Sequence, residues 1–176
     1  HFMMKESSEK LNNQAIKLAS EGSYDEAIAC FMRALSLENQ NYLLWFNLGL
    51  TYRDSGDFED ARNAMEKAFE LNPEDEEIIE TLAILNYDIG NLDDALKYCI
   101  LGLEFNENNI HLWNTIGVIY FNDSDFGGAS EAFEQALSIN PYYYDALYNL
   151  RDTYEELKNT AGVDECTQRL NAIKRN

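Results

Sequence analysis

Side chains that could carry chemistry are few and scattered. The chain holds two histidines, His1 and His111, and three cysteines, Cys30, Cys99 and Cys166. A general base or a nucleophile works only when an acid, a second base or an oxyanion donor converges on it. No GxSxG, HExxH or glycine-rich phosphate loop supplies such a partner. His1 stands in an opening His1-Phe2-Met3 that reads as a cloning remnant, and His111 falls at a helix start as a solvated surface residue. The cysteines are odd in number and far apart, without the CxxC or Cys/His spacing of a zinc site. Cys30 and Cys99 fall in the second helices of their units and read as small core residues, and free thiols fit a reducing compartment. The acidic run Glu74-Asp75-Glu76-Glu77 lacks the alternating ligands and glycine of a calcium loop. Negative charge in the first turn of a helix explains it. The expectation is a protein that is no enzyme, with no catalytic residue, no metal and no cofactor.

What positions these side chains is a repeat. Moving the chain forward until Trp45 lies on Trp113 also lays Gly49 on Gly117, Tyr52 on Tyr120, Ala61 on Ala129, Ala68 on Ala136 and Pro73 on Pro141. Both tryptophans and both prolines of the chain obey this one shift. Half of it relates Gly22, Gly56 and Gly90, and also Ala27, Ala61, Ala95 and Ala129. A fixed period of about 34 residues means stacked supersecondary units that bury their apolar faces on one another. Each unit reads as two helices. Leu44, Trp45, Leu48 and Tyr52 share one helical face, Ala61, Ala64, Met65 and Ala68 another, with Ser55-Gly56-Asp57-Phe58 as the turn between. Gly56 closes the first helix, Asp57 caps the second, and Pro73 stops it.

Counting from Ser8 gives units at 8–41, 42–75, 76–109 and 110–143, then 144–176 as a degenerate fifth unit and C-terminal cap. Residues 1–7 are expected to be ragged. The third unit fits loosest, with Asn86 in place of Tyr, Gly102 for Ala and Glu107 for Pro. The fourth has Ser124 where its neighbours have glycine, followed by Gly127-Gly128, each of which costs about 1 kcal/mol relative to Ala in a helix, so this turn is expected to be locally mobile. After Asn159-Thr160-Ala161-Gly162 the side-chain register is lost, although Val163, Cys166, Leu170 and Ile173 keep one apolar stripe.

Charge narrows the partners. With 13 basic and 32 acidic residues the formal charge is −19. Nucleic acid is excluded as the main partner, because counter-ion release needs Lys and Arg, and anionic membrane surfaces are disfavoured. No apolar run approaches the roughly 20 residues that span a bilayer, so direct membrane insertion is not expected. The reading places the chain in the cytoplasm, with a periplasmic or secreted location left open because a natural leader can have been removed.

The order Trp45, Leu48, Gly49, Tyr52, Gly56, Ala61, Ala68, Pro73 resembles the tetratricopeptide repeat, and Trp113, Ile116, Gly117, Tyr120, Ala129, Phe133, Ala136, Pro141 resembles it equally. The resemblance covers nearly the whole chain. It implies an all-α fold, a right-handed superhelical solenoid of antiparallel helix pairs whose first helices line a concave face. That face then carries Phe46, Leu50, Ile84, Tyr87, Val118, Phe121 and Tyr148, with Glu80, Asp88 and Asp152 as an acidic rim. Such a strip suits a basic, apolar peptide or amphipathic helix of a partner protein. Burial of the ninth-place residues Ile16, Leu50, Ile84 and Val118 between neighbouring helices is the competing account. Family members that hold acidic chaperone tails use Lys, Asn and Arg in the fifth and ninth places. Here those places read Asn12/Ile16, Phe46/Leu50, Glu80/Ile84 and Asn114/Val118, so a carboxylate clamp is not expected. The function expected is a non-catalytic interaction scaffold. The alternative is a self-assembling, homo-oligomeric component of a larger complex, pairing through the groove or the Tyr142–Tyr144 end.

Overall fold

A computed structural model describes residues 6–175. Among them run ten α-helices and no strand: α1 (Ser8–Ser20), α2 (Tyr24–Leu37), α3 (Tyr42–Asp54), α4 (Phe58–Leu71), α5 (Glu76–Ile89), α6 (Leu92–Phe105), α7 (Ile110–Asn122), α8 (Phe126–Ile139), α9 (Tyr144–Glu156) and α10 (Thr160–Arg175). They form two compact units, one up to Asn91 with α1–α5 and one from Leu92 with α6–α10. The division falls in the turn of the third repeat, the one whose sequence fits the pattern loosest. Of the ragged start expected at 1–7, residues 1–5 lie outside the described residues. Ser7 caps α1 by accepting from the Lys10 N–H, and Glu6 pairs with Arg33 at 2.7 Å.

The repeat period is written in the backbone more completely than in the side chains. Gly22, Gly56, Gly90, Ser124 and Lys158 all take positive φ, from 58° to 94°. One residue later the N–H reaches back to a carbonyl five positions earlier: Ser23 to Leu18, Asp57 to Tyr52, Asn91 to Asn86, Asp125 to Tyr120 and Asn159 to Tyr154, at 2.7–2.9 Å. This is the left-handed closure that satisfies the last carbonyls of a helix. Three of the five sites use glycine; serine and lysine meet the same demand with a Cβ present, at a cost in local strain. The register that the side chains lose after Asn159 is therefore kept by the chain. The Asn159 side chain accepts from the Gly162 N–H at 3.0 Å, as Asp125 accepts from Gly128 at 2.9 Å. That second bond also gives the Gly127-Gly128 turn its cap, and α8 starts at Phe126 in step with the other second helices.

Small residues let the helices of a pair approach, and a large one fills each gap. In the first unit Ala15, Ala27, Ala34, Ala61 and Ala68 are fully buried beside Phe31, Leu44, Leu48 and Met65. In the second, Ala129, Ala136 and Ala146 do the same beside Phe133, Leu147 and Leu150. The two tryptophans act as braces between consecutive repeats: the Trp45 indole N–H donates to the Asn39 carbonyl and that of Trp113 to the Glu107 carbonyl, both at 2.9 Å. Neighbouring first helices are tied by side-chain amides. Asn47 donates to Asn12 within the first unit and Asn149 to Asn114 within the second, each at 3.1 Å. The backbone carbonyls of Asn47 and Asn149 in turn accept from the buried hydroxyls of Thr51 and Thr153.

Candidate interaction surfaces

In the first unit, α3 positions Phe46 and Leu50, and α5 positions Glu80, Ile84, Tyr87 and Asp88. Phe46, Leu50, Glu80 and Tyr87 are half-buried, while Ile84 keeps 39% of its surface exposed and Asp88 is exposed. Ile16 on α1, in the same place as Leu50 and Ile84, is 44% exposed. Of this row Ile16 and Ile84 are exposed, while Leu50 is half-buried. Partial burial pushes the Asp88 carboxyl above the usual carboxylate range, and the charge of Arg53 pulls it the other way. Arg53 also pairs with Asp54 at 3.3 Å, so the acidic rim of this unit contains one cation.

In the second unit, Val118 and Phe121 on α7 meet Asp152 and Asn149 on α9 around a recess of about 70 Å³ floored by Phe133. Phe121 also packs edge-on against Phe126, with ring centres 5.2 Å apart. Tyr148 stands apart from that recess. It is 44% exposed, stacks on Tyr144 at 6.3 Å, and lies under the Arg151 guanidinium at 5.1 Å. The fold thus brings three of the four sequence-chosen residues of this unit together and gives the fourth a cationic neighbour.

A larger groove lies on the other side of α7. Leu96, Ile100 and Leu103 of α6 form one wall, Trp113, Ile116 and Tyr120 of α7 the floor, and Gly128, Glu131, Ala132 and Gln135 of α8 the second wall. Its volume is about 780 Å³, with Glu104, Glu107 and Asp125 at the edges. Sequence reasoning directed at the first helices missed it. The signal was present in the unit positions of Leu96 and Ile100, where the second repeat carries Arg62 and Glu66, an ion pair at 3.9 Å.

The residues with catalytic potential are engaged in packing. His111 is exposed, but its Nδ1 lies 3.0 Å from the Tyr143 hydroxyl and the two rings meet edge to face at 5.5 Å. Cys99 and Cys166 are buried and Cys30 is half-buried, and none of the three is in a disulfide. Burial raises the Cys166 thiol, the opposite of what a nucleophilic cysteine needs. Beside it, the Tyr154 hydroxyl donates to Glu134 at 2.5 Å, and burial together with that carboxylate raises the phenol far above its ordinary value. In the acidic run, Asp75 is the cap of α5 and accepts from the Ile78 N–H at 3.1 Å, with Glu76 and Glu77 in the first turn. No helix among the described residues is long and apolar enough to cross a membrane.

Comparison with known proteins agrees with this architecture. Sequence profiles described as tetratricopeptide repeats match residues 42–75 and 110–143, and one described as a TPR repeat matches residues 17–53. A TPR repeat-containing protein of Methanocaldococcus jannaschii is 25% identical over 144 residues, which is 77% of this chain. The chain spans between a quarter and a third of the length of the curated relatives it matches. The crystal structure of MamA protein superposes with a TM-score of 0.85 at 22% identity, covering 95% of this chain and 91% of that one. That of YrrB, described as a TPR protein with an unusual peptide-binding site, gives 0.75 at 23% identity, covering 94% and 86%. These likenesses are of fold, and the signature residues are those that close the helical pairs. The chain belongs to the tetratricopeptide-repeat family.

Proposed function

We propose that this chain is a non-catalytic scaffold that holds a basic, apolar segment of a partner protein against its first helices. The observation that carries the reading is the ninth place of the first unit, where Ile16 and Ile84 are 44% and 39% exposed and Leu50 is half-buried; Val118 of the second unit, also half-buried, packs against its core. Aliphatic side chains on a water-facing surface are stable there but gain free energy when covered. In the first unit Phe46, Leu50, Ile84 and Tyr87 form the patch, with Glu80 and Asp88 at its edge. In the second, Val118 and Phe121 form it with Asp152, and Tyr148 offers a separate aromatic contact beside Arg151. No lysine or arginine occupies the fifth or ninth places of the first four repeats, so a ligand carboxylate would find no cation there and would be repelled by Glu80, whereas a ligand cation would be drawn in. YrrB is described as having a peptide-binding site, which fits this use of the fold.

The test uses an amphipathic helical peptide of leucine and lysine, with binding followed by anisotropy on the full chain. Leu50→Glu combined with Ile84→Glu is expected to abolish capture while thermal unfolding stays cooperative. Rising salt is expected to slow association. Unchanged capture by the double variant would remove the reading, and loss of its cooperative unfolding would make the two residues core. Self-assembly is the second reading, favoured by Tyr142 at 67% and Tyr144 at 44% exposure where α9 begins. Light scattering decides it, since a mass that does not change with concentration rules out a stable oligomer.

A further inference from the structure

The α6–α8 groove of the second unit has a counterpart against which it can be judged. Shifted back by two repeats, its wall and floor fall on Ile28, Met32 and Leu35 of α2 and on Trp45, Leu48 and Tyr52 of α3. There the same face is packed more tightly, apart from Met32, which is 53% exposed. Leu35 and Leu48 are buried, and Ile28, Trp45 and Tyr52 pack with them and with Ala64 into one cluster. In the second unit the packed cluster takes in Trp113 and Tyr120 but none of Leu96, Ile100 and Leu103. Leu103 is half-buried where Leu35 keeps 7% of its surface, whereas Ile100 at 50% and its counterpart Met32 are equally exposed, so the opening lies at Leu96 and Leu103.

The edges change together with the opening. Glu104, Glu107 and Glu131 stand where the closed copy has Ser36, Asn39 and Asn63, and the cation Lys67 of the closed copy is replaced by Gln135. None of the three glutamates forms an ion pair among the described residues, and no Lys or Arg lines the groove. Asp125, which both copies keep as Asp57, is accounted for by capping α8. The open copy has therefore gained apolar depth and three uncompensated carboxylates at one place.

We infer that this groove is a second docking site, on the second-helix side of the second unit, for a partner segment that presents an aliphatic or aromatic anchor flanked by Lys or Arg. The anchor enters between Leu96, Ile100 and Trp113, whose indole N–H is already satisfied by the Glu107 carbonyl and leaves the ring as apolar wall. The flanking cations meet Glu104, Glu107 and Glu131, where each pair loses little hydration because the edge stays open to water. The site is distinct from the first-helix patches, which use the opposite side of α7 through Val118 and Phe121.

The experiment uses the full chain carrying Trp45→Phe, so that Trp113 is the sole tryptophan and reports from the groove floor. Titration with the leucine–lysine helical peptide is expected to shift Trp113 emission, and a leucine–glutamate peptide of the same pattern is expected to leave it unchanged. Leu96→Arg with Ile100→Glu copies the Arg62–Glu66 pair that α4 carries at these same places, so folding is expected to survive. It should weaken the Trp113-detected affinity by about tenfold or more. Glu104→Gln with Glu131→Gln should weaken it less and flatten its salt dependence. Leu50→Glu with Ile84→Glu should leave the Trp113 signal intact, which separates this site from the first-helix patch. Undiminished affinity in Leu96→Arg/Ile100→Glu would overturn the inference. Loss of the Trp113 signal in Leu50→Glu/Ile84→Glu would do so as well, as would light scattering showing a dimer that Leu96→Arg/Ile100→Glu dissociates.

Discussion

Helices α2–α5 of the first unit correspond, two repeats on, to α6–α9 of the second, and the two sets differ in what fills the gap inside a helical pair. At Gly49 the space opposite is taken by Met65, whose Cε would lie 2.9 Å from an added Cβ. At Gly117 it is taken by Phe133, whose ring would lie 2.4–2.7 Å from one. The brace of tryptophan to the preceding carbonyl is the same in both, as is the left-handed closure of the turn. A flexible thioether therefore does in one copy what a rigid ring does in the other. The copies also part on the outer face, closed and mixed in charge around Trp45, open and acidic around Trp113. Bonds that define the repeat are kept, and the filling and the surface are free to change.

The largest expected effect tests the filling itself. Phe133→Ala should destabilise by about 3–5 kcal/mol in urea unfolding, at the upper end of the ~2–5 kcal/mol span open to Met65→Ala. Equal losses would mean that the ring stabilises its pair no more than the thioether does. Next comes the glycine. Gly117→Ala should cost about 1–3 kcal/mol, because a ring held on both sides cannot step aside. Gly49→Ala should cost less than Gly117→Ala, since the methionine tip moves cheaply and alanine gains about 1 kcal/mol of helix propensity over glycine, against the Ala61 carbonyl oxygen 3.2 Å from the added Cβ. Adding Phe133→Met to Gly117→Ala should return much of the loss. Failure of that rescue would break the proposed equivalence of the two sites.

These pairs show what was legible in the sequence. The period, the two helices per unit and the glycine–alanine contacts could be read because tight contacts leave few residue choices, and those choices repeat. The closure at Ser124 and Lys158 could not be read, because there the demand is on φ and the residue that meets it is not the one that advertises it. On the surface the pattern weakens further. Val118, Phe121 and Asp152 do meet, since helical spacing alone puts them on facing sides of α7 and α9. The separation of Tyr148 depends on Tyr144 and Arg151, which lie on its own helix and compete for its ring. The α6–α8 groove was hidden for another reason: Leu96 and Ile100 continue an apolar stripe, and a stripe does not reveal whether its neighbour covers it.

The turn closures give a smaller and oppositely signed test. Ser124 and Lys158 hold φ of 59° and 58° with a Cβ present. Replacing either by glycine removes that strain, which outweighs the freedom it adds to the unfolded chain, so Ser124→Gly and Lys158→Gly should each stabilise by up to about 1 kcal/mol. Gly56→Ala, in the first unit, should destabilise by about the same amount despite the empty space around it. A loss of stability in Ser124→Gly would mean that the serine is held there by a contact outside the backbone.

The smallest expected effect is alkaline and separates two tyrosines in equivalent places. Tyr52 in the first unit has a phenol raised by burial and by the charges of Asp60 and Asp57. Tyr154 in the second is raised much further, by burial and by donating to Glu134. In each case the folded chain keeps a proton that the unfolded chain releases near pH 10.0. Below that pH both forms are protonated and the contribution is fully present. Above it the unfolded state binds fewer protons, so stability falls as pH rises towards the folded value. Melting temperatures measured from pH 9 upward should therefore drop from about pH 10. Tyr154→Phe should start from a lower melting temperature at neutral pH, having lost the hydrogen bond, and then fall less steeply. Tyr52→Phe should flatten the slope less, because no acceptor among the described residues holds its proton. If the two variants track each other, burial alone sets the alkaline limit and the Glu134 bond adds nothing to it.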